Sequence, residues 1–197
     1  MTQLYKSPKF RRGFKKWSDD KALEFRQDLG LRSIDPLCAF ALCEHLGVPI
    51  KTPKDLPKLG QDVISHLLNE GSSEWHAATV PLPKSKYWIL HNPNNSLARQ
   101  QSDLMHEVGH IVCKHEVPPE KSSLRLSGFL RNLNPEQEDE ADWLGSCLQL
   151  PRPALLNCLK RGLSIEEISE CYNASKQMVT YRINITGVKK QLKYLRL

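Results

Sequence analysis

The chain has 197 residues, enough for one good core and a small appendage, and its 40% hydrophobic and 25% charged shares are those of an ordinary globular protein. No apolar run approaches the roughly 18 residues of a membrane span, and the basic N-terminus lacks the apolar stretch of a secretory signal. The expectation is a cytoplasmic protein with no membrane partner. The net charge of +6 is uneven, because residues 1–16 and 176–197 each carry six basic side chains and no acid. An acidic body between basic ends can contact nucleic acid or an acidic protein, and solvated tails would look the same. The cysteines Cys38, Cys43, Cys113, Cys147, Cys158 and Cys171 form no CxxC pair, so they read as buried thiols rather than a disulfide framework.

Residues 1–13, polar and basic with Pro8 and Gly13, read as a disordered tail. A helical pattern runs from Phe14 to Leu29 and stops at Gly30. Asp35-Pro36 then opens a helix over Leu37 to Leu46, closed by Gly47. Val48 to Ile50 suits a short strand, residues 51–60 a loop, and Asp62 to Asn69 a short helix. Trp75 to Leu82 and Lys86 to His91 are aromatic and β-branched around Pro83-Lys84-Ser85, which predicts a β-hairpin. Ser96 is a good N-cap for a long helix from Leu97 to about His115, whose buried stripe is Leu104, Val108, Ile111 and Val112. Residues 119–134 give no readable pattern. Helices are expected from Glu136 to Leu150 and from Pro153 to Lys160. A capping box at Ser164 then leads a helix to Cys171, and Ser175 caps another to about Ile185. The last pair has helix-turn-helix spacing, and Lys176, Gln177, Thr180 and Arg182 are types that touch phosphates or bases.

Chemistry concentrates in His106-Glu107-Val108-Gly109-His110. Residues four apart on a helix differ by roughly 40° in azimuth and 6 Å in rise, so both imidazoles reach one tetrahedral metal. Glu107 sits beside that face, where its carboxylate can take a proton from a water polarised by the ion. Gly109, a poor helix former, suggests close packing against the site. The third ligand is not a histidine of the HExxHxxGxxH type, because Cys113 and Glu116 occupy the positions that pattern needs. A carboxylate from a second helix remains, and residues 136–142 offer five acids. Glu140 lies four before Leu144 and seven before Cys147, hence on the inward face, with Glu136 its main rival one turn earlier. On that phasing Glu138 points away, and Asp139 and Asp142 flank the stripe. Asp142 is a candidate partner for a histidine ligand. His115, nine residues after His106, cannot join the same metal unless the helix ends first.

The string from His106 to His110, followed by Glu138-Asp139-Glu140-Ala141-Asp142-Trp143-Leu144 and closing on Leu148-Gln149-Leu150-Pro151, resembles the ImmA/IrrE metallo-endopeptidases. The approach from Asn92-Pro93 through Arg99 and Asp103 is also similar, as is the stretch from Glu166 to Gly187. Trp143-Leu144-Gly145 departs from the alanine-rich, phenylalanine-containing stretch usual there. The resemblance implies a gluzincin-like zinc endopeptidase, with manganese as an alternative ion and His106, His110 and Glu140 as ligands. It also implies a protein substrate, a helix-turn-helix repressor whose cleavage relieves repression. The expected fold is α+β. A mainly helical peptidase core spans 14–151, with a small antiparallel sheet on the HExxH helix, followed by a helix-turn-helix-like unit at 152–187 and a basic tail at 188–197. Two other readings compete with the peptidase: a DNA-binding regulator with a structural or sensory metal site, and a peptide-binding component of a toxin–antitoxin pair. The regulator needs a closed site of four protein ligands, and only three are found.

Overall fold

In the computed structural model, which describes residues 10–56, 58–83, 86–115 and 134–194, the chain is mostly helical around one small sheet. Helices α1 (Phe14–Asp28) and α2 (Ala39–His45) precede strand β1 (Ile50–Lys51) and helix α3 (Gln61–Leu68). The hairpin follows as β2 (Ala77–Leu82) and β3 (Lys86–His91), then the long helix α4 (Leu97–Cys113) and helix α5 (Pro135–Gln149). Four shorter helices complete the chain: α6 (Arg152–Lys160), α7 (Ile165–Cys171), α8 (Lys176–Thr186) and α9 (Val188–Tyr194).

The sheet order is β1-β3-β2. The hairpin is antiparallel, with Thr79 opposite Ile89, but β1 runs parallel to β3, pairing Ile50 with Ile89. The sheet is therefore mixed rather than antiparallel as expected, because a two-residue strand reached through two helices carries no pattern that fixes its direction. Among the described residues β2 is left at an edge, and α4 lies against β2 and β3. Ser96 caps α4 as anticipated, its hydroxyl accepting from the Arg99 amide at 3.3 Å. Asn134 does the same for α5, accepting from the Glu136 amide at 3.0 Å.

The main core joins Phe14 and Phe25 of α1, Leu42 of α2, Ile89 of β3, Leu104 and Val108 of α4, and Leu144 and Leu148 of α5. The fully buried Arg26 ties α1 to the end of α5, donating to the carbonyls of Ala22 and Leu148 at 2.9 and 2.8 Å. Burial lowers its pKa to about 10, which still leaves it charged at neutral pH. A second cluster, Leu150, Leu155, Ile168, Tyr172, Val179, Ile183 and Val188, gathers α6 to α9.

Several expectations are corrected. Phe10 is not in a loose tail: it stacks on Phe14 at 5.3 Å and meets Trp143 edge-on at 5.1 Å. Residues 188–194 form α9 instead of a tail, because Val188 is fully buried and pulls the lysine-rich turn onto the second cluster. Helix α4 ends at Cys113, two residues early, and Lys114 takes the left-handed conformation at φ 57°. Helices α7 and α8 fall where expected, but Arg182 is fully buried and donates to the Leu150 carbonyl at 3.0 Å, so it packs rather than faces outward. Residues 119–133 of the expected connection and residues 1–9 of the tail lie outside the described residues.

Candidate metal centre

The site sits where α4 crosses α5, and the crossing is unusually close. A Cβ on Gly109 would lie 2.8 Å from the Ala141 carbonyl oxygen, and one on Gly145 would lie 3.0 Å from that of Met105. Each helix thus presents a glycine to the backbone of the other, which brings side chains a turn away within reach across the gap. The close packing suggested by Gly109 is what the structure has.

His106 and His110 project together into a cleft of about 600 Å³, with their Nε2 atoms 3.0 Å apart. Glu138 of α5 faces both: its carboxylate oxygens stand 3.4 Å from His106 Nε2 and 3.7 Å from His110 Nε2. The three residues can bring one ligand atom each to a common point. A tetrahedral site with bonds of about 2.0–2.1 Å has edges of about 3.4 Å, so the donors already have the spacing of zinc ligands. The mixture of two imidazoles and one carboxylate also suits zinc or manganese.

Glu140 is elsewhere. Its carboxylate meets His115 Nε2 at 3.2 Å and Arg11 Nε at 3.6 Å, so the structure does not bring it to the two histidines. Glu136, the rival from the sequence, is not in this group either. The reason lies in the phase of α5, which is buried on two faces. Leu144, Cys147 and Leu148 face the main core, and Glu140 belongs near that stripe. Ala141 and Gly145 face α4, and Glu138 and Asp142 belong to that second stripe, about 200° from Glu140 for a step of two residues.

Asp142 Oδ1 accepts from His106 Nδ1 at 2.7 Å, the role foreseen for it, and so holds the ring with Nε2 towards the cleft. Burial works against charge on His106, but hydrogen bonds to Asp142 and Glu138 outweigh it and raise the pKa from 6.5 to about 10. Two carboxylates thus hold a proton where a cation would sit. Burial lowers the pKa of His110, with Glu107 pulling the other way.

Glu107 is buried, and its Oε2 accepts from the Thr79 amide at 2.7 Å and the Thr79 hydroxyl at 2.6 Å. Its carboxylate is therefore fixed to the edge strand β2 across the cleft from α5. Thr79 had no distinguishing mark in the sequence beyond its place in the hairpin. Arg99 and Asp103 form the expected pair at 2.8 Å, both lining the same cleft. His115 comes back onto the site because α4 ends early. Its Nδ1 is 2.9 Å from His110 Nδ1, and Cys113, His115 and Glu140 make a second group of metal-ligand types. The cysteines are all free thiols, and burial raises Cys113, Cys43 and Cys147 to about 12.

An HExxH helix whose imidazoles meet a carboxylate on a second helix is the site of a metallopeptidase. Residues 57–184 match the model of the IrrE N-terminal-like domain family, Peptidase_M78, and the chain belongs to that family of metallopeptidases. No curated protein matches. Among solved structures, a Mycobacterium tuberculosis transcriptional regulator is similar with a TM-score of 0.47 and 9% identity. The match covers 88% of this chain and 47% of that one, so this chain spans about half of its length. Among the described residues no helix is long and apolar enough to cross a membrane.

Proposed function

We propose that the chain is a zinc-dependent endopeptidase in which His106, His110 and Glu138 hold the ion and Glu107 is the general base. The observation that carries the reading is the triangle of His106 Nε2, His110 Nε2 and the Glu138 carboxylate, with sides of 3.0, 3.4 and 3.7 Å. On this reading the third donor is Glu138 rather than Glu140. Among the described residues three donors meet, the number of a catalytic rather than a structural zinc site. When bound, zinc would polarise the scissile carbonyl and lower the pKa of a water beside it.

Glu107 takes a proton from the attacking water and delivers it to the leaving amine. Thr79 anchors one carboxylate oxygen and leaves the other for that transfer. Asp142 keeps the His106 ring turned into the site. β2 is an edge strand lining the cleft, so an extended segment of substrate pairs with its outer backbone side while the scissile bond lies over α4. A repressor with a helix-turn-helix domain, the substrate that the family resemblance implies, would have to present such an extended stretch, as in a linker or an opened loop. A role in transcription regulation follows from that substrate.

The zinc-loaded chain, mixed with a repressor encoded beside its gene, should produce two fragments by mass spectrometry. Glu107→Gln should slow cleavage by at least about 100-fold while zinc remains bound. Undiminished cleavage by that variant would rule out the mechanism.

A further inference from the structure

The proposed ligands are not supported alike. His106 leans directly on a carboxylate, Asp142 at 2.7 Å. Among the described residues, what His110 Nδ1 meets is another imidazole, that of His115 at 2.9 Å. The contact is built by the end of α4. Lys114 turns left-handed at φ 57°, the His115 amide donates back to the His110 carbonyl at 3.0 Å, and the two rings stand at 73° with centroids 5.0 Å apart. Beyond it, His115 Nε2 lies 3.2 Å from Glu140 Oε2, and Arg11 flanks the other oxygen of that carboxylate at 3.6 Å. The His115 side chain is 6% exposed, so the geometry is shielded from water.

Proton positions along this row follow from one condition. If His110 offers Nε2 to a metal, that nitrogen is bare and the ring proton sits on Nδ1. It then donates to His115 Nδ1, which must be bare in turn, and the proton of His115 moves to Nε2. There Glu140 Oε2, 3.2 Å away, is placed to accept it. Each contact has one donor and one acceptor. The alternative, a second cation held by Cys113, His115 and Glu140, requires a bare His115 Nε2 and so a proton on Nδ1. Two N–H groups would then oppose each other across 2.9 Å.

We propose that His115 and Glu140 are positioning residues that fix the tautomer and orientation of His110 for the metal, through a carboxylate–imidazole–imidazole relay. The inference rests on the assignment of His106, His110 and Glu138 as ligands. Glu140 then serves the metal at one remove and does not touch it, and the left-handed turn at Lys114 exists to bring His115 onto the ring of His110.

The test is zinc affinity of the full chain by chelator competition, joined to ¹⁵N-histidine NMR of the zinc-loaded protein. His115→Ala and Glu140→Ala should each weaken zinc by about 10- to 100-fold, the usual loss when a partner of a metal ligand is removed. The double variant should be no weaker than the worse single one, since both break one chain. Glu140→Gln keeps an acceptor oxygen and should recover most of the loss, which a purely structural role would not predict. The spectra should show His110 protonated at Nδ1 and His115 protonated at Nε2. Wild-type affinity in both alanine variants, or a second equivalent of zinc lost on Cys113→Ser, would overturn the relay. Glu138→Ala separates the two levels. Zinc lost in Glu138→Ala but kept in Glu140→Ala removes the relay and leaves the ligand set standing, whereas zinc kept in Glu138→Ala removes the ligand set itself.

Discussion

The crossing of α4 on α5 and the cluster of α6 to α9 are both buried, but they are packed by opposite means. In the cluster, large side chains such as Leu150, Leu155, Ile168 and Ile183 fill the space between helices. At the crossing, Gly109 and Gly145 remove side chains so that backbone meets backbone. Leucine packing keeps helix axes about 8–10 Å apart, which gives stability but holds backbones away from each other. Glycine packing gives up apolar burial and gains reach, and reach is what a carboxylate on one helix needs to meet imidazoles on another. The α4–α5 pair thus gives its large apolar side chains to the main core and its glycines to the face that carries the candidate ligands.

Substitutions should split along that line. Gly109→Val places a branched side chain against the Ala141 backbone, which cannot rotate away as a side chain could. α5 must shift, taking Glu138 with it. The expected result is a zinc affinity lower than in any variant that removes only a supporting partner, hence more than about 100-fold, with about 1–3 kcal/mol of lost stability. Leu155→Ala in the second cluster should do the reverse. Removing that fully buried side chain should cost about 2–5 kcal/mol in chemical denaturation and leave zinc affinity unchanged. If Gly109→Val lowers stability but not affinity, close helix approach is not what assembles the site.

The contrast also explains what the sequence made legible. Large apolar residues at helical spacing, bounded by Ser96, Gly47, Pro151 and the Ser164 capping box, located nearly every helix to within two residues. They also gave the right surroundings for His106 and His110. Glu138, which faces the two histidines, was read as pointing away because pattern reading follows large residues. Leu144 and Cys147 mark one stripe of α5 vividly, while Ala141 and Gly145, which mark the stripe facing α4, look like gaps. The return of His115 onto the His110 ring was not legible because nothing about Lys114 announces a left-handed residue. The stop expected from the later prolines would have left His115 on the far side of the helix. Helix α9 was hidden by its lysines, since its one deeply buried residue, Val188, gives no periodicity. Thr79 became meaningful only when the hairpin was laid over α4, a contact between residues 28 apart in sequence.

A subtler effect distinguishes the two histidines at the crossing. The pKa of His106 is raised to about 10 by its carboxylate partners, while that of His110 is lowered by burial. Between about pH 7 and 9 the metal-free protein therefore carries a proton on His106 and none on His110. Zinc must displace that one proton, so affinity should rise with pH across this window and level off above about 10, where the ring is already neutral. Calorimetry in buffers of differing ionisation enthalpy should report about one proton released per zinc at pH 7.5. Release of none would mean that His106 is already neutral before binding, contrary to the carboxylates that surround it.

The smallest effect concerns the far wall of the cleft, where β2 meets Glu107. Thr79 gives Glu107 two hydrogen bonds, one from the backbone and one from the hydroxyl. Only the second can be removed by substitution, so Thr79→Val tests the side chain while the amide continues to hold the carboxylate. A single side-chain hydrogen bond contributes about 1 kcal/mol net, so kcat should fall about five-fold, with zinc affinity unchanged because Glu107 is no ligand. Thr79→Ser restores the hydroxyl and should restore the rate. If KM rose and kcat did not, Thr79 would be acting on the bound substrate rather than on the base. The edge strand would then be a docking surface alone, and the orientation of Glu107 would depend on α4 itself.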